Sequence, residues 1–192
     1  MGLFIAPHPR LQASLLSCIV VALAIKPASK AAETATQAKI ELTSSAFTNG
    51  ASIPEQYTCQ GKNVSPPLKW SGVPPEAKSL ALIMDDPDAP IGTWIHWVLY
   101  DLPASTTELP EGFGAESGKT PDTAKEGKND FKRLGYGGPC PPAGKPHRYF
   151  LKLYALDCVL NLKPGATRKD VDRAMEKHII GQGQLMATYK RK

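Results

Sequence analysis

Eighteen prolines and sixteen glycines are scattered through the 192 residues without any repeat. Proline fixes φ and removes a backbone donor, and glycine opens turns. The chain is therefore expected to fold as many short elements joined by turns. Its length allows one domain with a proper core and is too small for two comfortable ones. With 42% hydrophobic and 21% charged residues, a globular domain is expected rather than a disordered chain.

The first thirty residues read as an address. Residues 15–25 (LLSCIVVALAI) form an uncharged apolar run, preceded by Arg10 and followed by Ser29-Lys30-Ala31. The run is too short to span a bilayer comfortably, and small residues stand at the two positions a signal peptidase reads. This predicts a signal peptide over residues 1–31 cleaved before Ala32, a polar tether over 32–39 and a folded domain over 40–192. The expected protein is exported, periplasmic or secreted, with no stable membrane insertion. Two alternatives stand beside it. One is an uncleaved anchor. The other is lipidation at Cys18, because Leu15-Leu16-Ser17-Cys18 resembles a lipobox. Of the formal charge of +5, three positives (Arg10, Lys26, Lys30) lie in the first 31 residues with no acid among them, so the remainder carries +2. No long basic run or aromatic-interleaved basic patch remains, which argues against nucleic acid as a partner.

Export permits disulfides. Loss of Cys18 leaves Cys59, Cys140 and Cys158, an odd number, so at most one intramolecular bond forms. The sequence does not choose the pair, and the spacing fits no common zinc pattern.

Strands are expected over residues 39–43, 79–86 (SLALIMDD), 95–102 (IHWVLYDL), 148–157 (RYFLKLYALD) and 184–189. Residues 57–70 read as turn and loop. Residues 103–146, rich in Gly, Pro and Lys, read as a long functional or disordered loop. One helix is convincing. Thr167 caps it, Asp170 completes a box-like start, and Val171, Ala174, Met175 and His178 form one stripe before Gly181 stops it. His178 on that stripe reads as a packed or partly exposed core-edge histidine rather than a ligand. Several strands, long loops and one late helix suggest a β-sandwich-like fold with a small helical attachment.

Alternate residues of a strand share a face. Leu80, Leu82, Met84 and Asp86 therefore align, as do Trp94, His96, Val98 and Tyr100, and His147, Tyr149, Leu151 and Leu153. Asp86 ends an apolar row, where a carboxylate is costly unless it meets solvent or a partner. Asp85 and Asp88 flank it, and Pro87 and Pro90 stiffen the turn. Just before His147 runs residues 136–144 (YGGPCPPAG), whose glycines allow close backbone approach and free N–H donors. Two imidazoles, a phenol and loop amides suit phosphate or carboxylate oxygens, with Asp86 orienting a histidine and favouring its cation. A polar network that only satisfies itself is the alternative.

The motifs Asp86-Pro87-Asp88-Ala89-Pro90, Trp94-Ile95-His96-Trp97, Gly138-Pro139-Cys140-Pro141-Pro142 and His147-Arg148-Tyr149 occur in that order. Together they resemble the phosphatidylethanolamine-binding family, and more closely its bacterial and archaeal Raf-kinase-inhibitor-like branch. Tyr57-Thr58-Cys59, Asn63-Val64-Ser65-Pro66-Pro67-Leu68-Lys69-Trp70, Tyr100-Asp101-Leu102-Pro103 and Gly165-Ala166-Thr167 support the resemblance, which runs from about Ile40 to Tyr189. It implies a mainly β fold, a β-sandwich of a large and a small sheet, with a short C-terminal helix near 167–179. It also implies a pocket for small anions formed by Asp86, Pro90, Trp94, His96, Gly138, Cys140, Pro141, Pro142, His147 and Tyr149, with no cofactor. Ile91-Gly92 stands where eukaryotic members commonly carry Ser-Arg, and the chain ends soon after Tyr189, where they often carry a further helix. Three functions compete. The first is non-catalytic binding of a small anionic ligand. The second is inhibition of a protease or kinase partner through the 103–146 segment. The third is an enzyme using Asp86, His96 and His147 as an acid–base set or a two-His, one-carboxylate metal site. The first reading makes the protein no enzyme, with affinity that weakens as pH rises through about 6 to 8, where imidazoles lose their proton.

Overall fold

The computed structural model describes residues 1–3, 37–114 and 123–192. Contacts divide the chain into two units, Met1–Thr34 and Ala35–Lys192, and the fold is that of the second. The expected signal peptide, its lipobox and most of the tether lie outside the described residues. Among those described, no helix is long and apolar enough to cross a membrane.

Nine strands and one α-helix are described: β1 (Ala38–Lys39), β2 (Glu41–Thr43), β3 (Leu68–Ser71), β4 (Ser79–Asp86), β5 (Trp94–Pro103), β6 (Glu108–Leu109), β7 (Lys125–Glu126), β8 (His147–Leu156), α1 (Arg168–Met175) and β9 (Ile179–Tyr189). They build a large sheet in the order β1-β9-β8-β4-β5-β7 and a small one in the order β2-β3-β6. Only β1 on β9 is parallel. The mainly β, two-sheet expectation holds.

The near-continuous apolar run of β4 follows from its place. Every residue of β4 is buried. Leu80, Leu82 and Met84 enter the main core with Leu42, Leu68 and Trp70 of the small sheet. Ala81 and Ile83 face the other way, onto Val171 and Met175 of α1. A strand covered on both faces loses the polar alternation of a half-exposed one.

Several boundaries differ from expectation. The first strand is two, because the chain leaves the large sheet after Lys39 and joins the small one at Glu41. Residues 57–70, read as loop, include the end of a one-turn 3-10 segment (Glu55–Tyr57) and most of β3. The long 103–146 stretch contains β6 and β7, too short to show a period. The α1 cap is as expected: Asp170 N–H donates to Thr167 Oγ1 and Thr167 N–H to Asp170 Oδ2. The helix nevertheless ends at Met175. Beyond it the β-branched pair Ile179–Ile180 is drawn into β9, where Ile179 pairs with Leu156 and Gly181 with Ala38 and Ala155. Tertiary pairing overrides the helical period there, and His178 lies outside the helix.

Candidate functional site

Strand register gathers the polar ends. Asp86 closes β4 opposite Trp94, which opens β5, and His147 opens β8 on the other side of β4. His147 Nδ1 lies 2.8 Å from Asp86 Oδ2, with side chains only 9% and 4% exposed. A buried pair of this kind needs its remaining lone pairs satisfied. Asp86 Oδ1 accepts the N–H of Asp88 at 2.8 Å, which closes the acidic turn. Asp88 in turn accepts the backbone N–H and Nε of Arg148 at 2.9 Å and a terminal guanidinium nitrogen at 2.7 Å. The Arg148 hydrogen bonds hold the Asp88 carboxyl down at about 2.

His96 reaches the site by a bulge. Met84 pairs with Trp97 and Asp85 with Ile95, so His96 is the extra residue of β5. Strict alternation predicts His96 on the face of Val98 and Tyr100. Those two pack on the helix side. The bulge turns His96 toward the main core, where its ring meets Tyr149 at 5.2 Å and Phe131 at 5.3 Å, both edge-on. Its Nδ1 lies 2.6 Å from the Gly137 carbonyl, which can only accept, so Nδ1 carries the proton. Burial lowers the His96 pKa, opposed by the Gly137 carbonyl and the charge of Asp86. Near neutral pH the ring is therefore uncharged and its Nε2 is an acceptor.

The loop over these rings is fixed from outside. Cys59 and Cys140 form a disulfide, and Cys158 is left as a free thiol. Cys59 N–H donates to the Pro139 carbonyl at 3.1 Å, and the Tyr136 hydroxyl to the Tyr57 carbonyl at 2.7 Å. Gly138 stands apart from the residues that line the hollow. Its N–H is spent on Asn63 Oδ1 at 2.7 Å, and a side chain there would collide with the Tyr57 carbonyl and Asn63. It seats the loop on the 55–63 turn and does not line the hollow. Tyr149 also lies one layer back. It is fully buried, its hydroxyl makes no hydrogen bond of good geometry, and burial followed by the charge of Asp86 pushes its pKa far above the usual phenol range.

The hollow that remains has a volume of about 270 Å³. Asp86, Pro90, Trp94, His96, Cys140, Pro141, Pro142 and His147 line it, together with Ala89, Ile91 and Phe131. The last three were missed. Phe131 sits in a segment with no period, and its signal was Gly137, where any side chain would strike the Phe131 ring. Larger grooves, of about 640 and 630 Å³, lie elsewhere. Neither gathers an imidazole, and the second holds Asp85 already paired with Lys152 and Arg168. The two-His, one-carboxylate metal reading loses its geometric support. Among the described residues, the set whose ligand atoms all lie within 4.8 Å of one another is Asp157, Cys158 and His178.

Comparison with known proteins agrees with the architecture. The family model described as phosphatidylethanolamine-binding protein matches residues 43–190. A UPF0098 protein of Methanothermobacter thermautotrophicus is 53% identical over 152 residues, covering 79% of this chain and 99% of the relative. A solved phosphatidylethanolamine-binding protein homologue of Chlamydia trachomatis, CT736, superposes with a TM-score of 0.73 at 43% identity, covering 80% of this chain and 99% of the other. YbcL of E. coli, described as a new member of the mammalian PEBP family, gives 0.75 at 34% identity with the same coverage.

Proposed function

This chain belongs to the phosphatidylethanolamine-binding protein family, and from that membership we propose that it is a non-catalytic binding protein. Its ligand is a small phosphate-bearing anion, either free phosphate or a phosphorylated headgroup, held in the hollow between Asp86, His96 and His147. The observation that carries this reading is that two imidazoles at one cavity each have Nδ1 committed, His147 to Asp86 and His96 to Gly137. Each keeps Nε2 for a ligand.

The two nitrogens differ in kind. In this reading His147, paired with the Asp86 carboxylate through Nδ1, donates its Nε2–H to the anion. His96 is neutral and its Nε2 accepts. A phosphate monoanion offers an oxygen to the first and a hydroxyl to the second. The surrounding prolines and aromatic rings give the cup a stiff, largely apolar wall before a ligand arrives. No serine lines the cup, and its one cysteine is tied in a disulfide, so neither a hydroxyl nor a thiol nucleophile stands there.

Calorimetry with phosphate and phosphoethanolamine tests the reading. Wild-type protein is expected to give saturable heat that His147→Ala loses. Affinity should fall as pH rises past neutrality, because phosphate loses the hydroxyl that it offers to His96. Heat that is absent in wild type, or equal in the variant, overturns the proposal.

A further inference from the structure

Among the described residues, Cys158 is the thiol left over once Cys59 and Cys140 have paired. It follows β8 directly, where the chain passes the turn between α1 and β9. Backbone bonds lock the two passages together. Asp157 N–H donates to the His178 carbonyl at 3.0 Å, and His178 N–H donates to the Met175 carbonyl at 2.9 Å. The Ser79 hydroxyl donates to the Cys158 carbonyl at 2.6 Å. Within this frame His178 Nδ1 stands 2.7 Å from Asp157 Oδ1. The Cys158 sulfur, an imidazole nitrogen and a carboxylate oxygen all lie within 4.8 Å of one another.

We propose that Asp157, Cys158 and His178 form a binding site for a thiophilic divalent cation, zinc being the best fit, separate from the anion cavity. Thiolate, imidazole and carboxylate together suit zinc better than magnesium or calcium, which take oxygen ligands. Zinc bonds of about 2.0–2.3 Å in a tetrahedron place ligand atoms about 3.3–3.8 Å apart. The present spacing needs small side-chain rotations, and His178 and Asp157 are 45% and 48% exposed, so they have room to turn. The fourth position falls to water.

The local electrostatics agree. The negative charges of Asp157 and Asp101 stand near the sulfur, with Lys78 opposing, and they attract a cation. Binding breaks the Cys158 S–H bond and the His178–Asp157 hydrogen bond, forms sulfur, nitrogen and oxygen bonds to the metal, leaves the imidazole proton on the ring nitrogen away from the metal, and releases the thiol proton to solvent. Affinity therefore rises with pH, opposite to the trend at the anion cavity. A plain surface His–Asp pair beside an unused thiol is the competing account.

Cobalt substitution separates the two accounts. Chelator-treated wild-type protein titrated with cobalt is expected to show thiolate-to-cobalt absorption in the near ultraviolet, bleached by zinc. Cys158→Ser should lose the band, and His178→Ala should weaken binding by about tenfold or more. His147→Ala should keep the band, and Cys158→Ser should keep wild-type phosphate heat, so failure here is distinct from failure at the cavity. Zinc should also shield the wild-type thiol from a maleimide. A wild-type protein with neither the band nor the shielding overturns the proposal, as does an undiminished band in Cys158→Ser.

Discussion

Replacing Cys59 and Cys140 together by serine is expected to lower the unfolding free energy by about 2–4 kcal/mol. The cysteines are 81 positions apart, so the bond removes a long closed loop's freedom from the unfolded chain. It is also the covalent joint between the 55–63 turn and the loop that roofs the cavity, and Cys140 itself lines that cavity. Loss of the bond should therefore weaken phosphate binding as well as stability. The remaining ties, Gly138 N–H to Asn63 and Tyr136 to the Tyr57 carbonyl, keep the loop near its place, so the fold should survive. Urea unfolding checks this: the midpoint should drop, and the slope should rise as the uncrosslinked unfolded chain exposes more surface. Coincident curves for oxidised and reduced wild-type protein would contradict it.

The second large effect is expected at Asp86. In Asp86→Ala, His147 stays buried without its partner, and the Asp88 N–H loses its acceptor. Breaking a buried pair from one side costs about 3–5 kcal/mol, because the other member is stranded. Asp86→Asn keeps an oxygen for Asp88 and a polar neighbour for His147, so it should cost clearly less. Both variants should lose anion affinity, since neither keeps the carboxylate that holds the His147 ring through Nδ1. Thermal and urea unfolding give the first ordering, and calorimetry the second. Equal stability of the alanine variant and wild type would show that the pair is not buried as described.

How far the sequence foretold this site depends on what kind of interaction built each part. Asp86 and His147 were legible because the alternation of β4 and β8 survives folding and each residue sits at a strand end. His96 reaches the hollow by a route the sequence did not show, since only the paired strands reveal the bulge that turns it from the face of Val98 and Tyr100. Gly138 packs closely on residues 57–63, a contact between segments about 75 positions apart that no local pattern encodes. Phe131 was hidden for the same reason. The disulfide was open until the 55–63 turn and the 136–142 loop were brought together. His178 illustrates the reverse error. Its helical spacing was real, but the pairing of Ile179 with Leu156 ended the helix first and set its ring beside Asp157 instead.

The central claim is that the imidazoles of His96 and His147 share one small anion. Nitrogen-15 spectra of the histidine side chains, recorded while phosphate is added, test it most directly. The ring signals of residues 96 and 147 should move together along one saturating curve, while those of residue 178 stay where they began. If both cavity rings remain unmoved throughout the titration, or only residue 178 responds, the hollow is not an anion site.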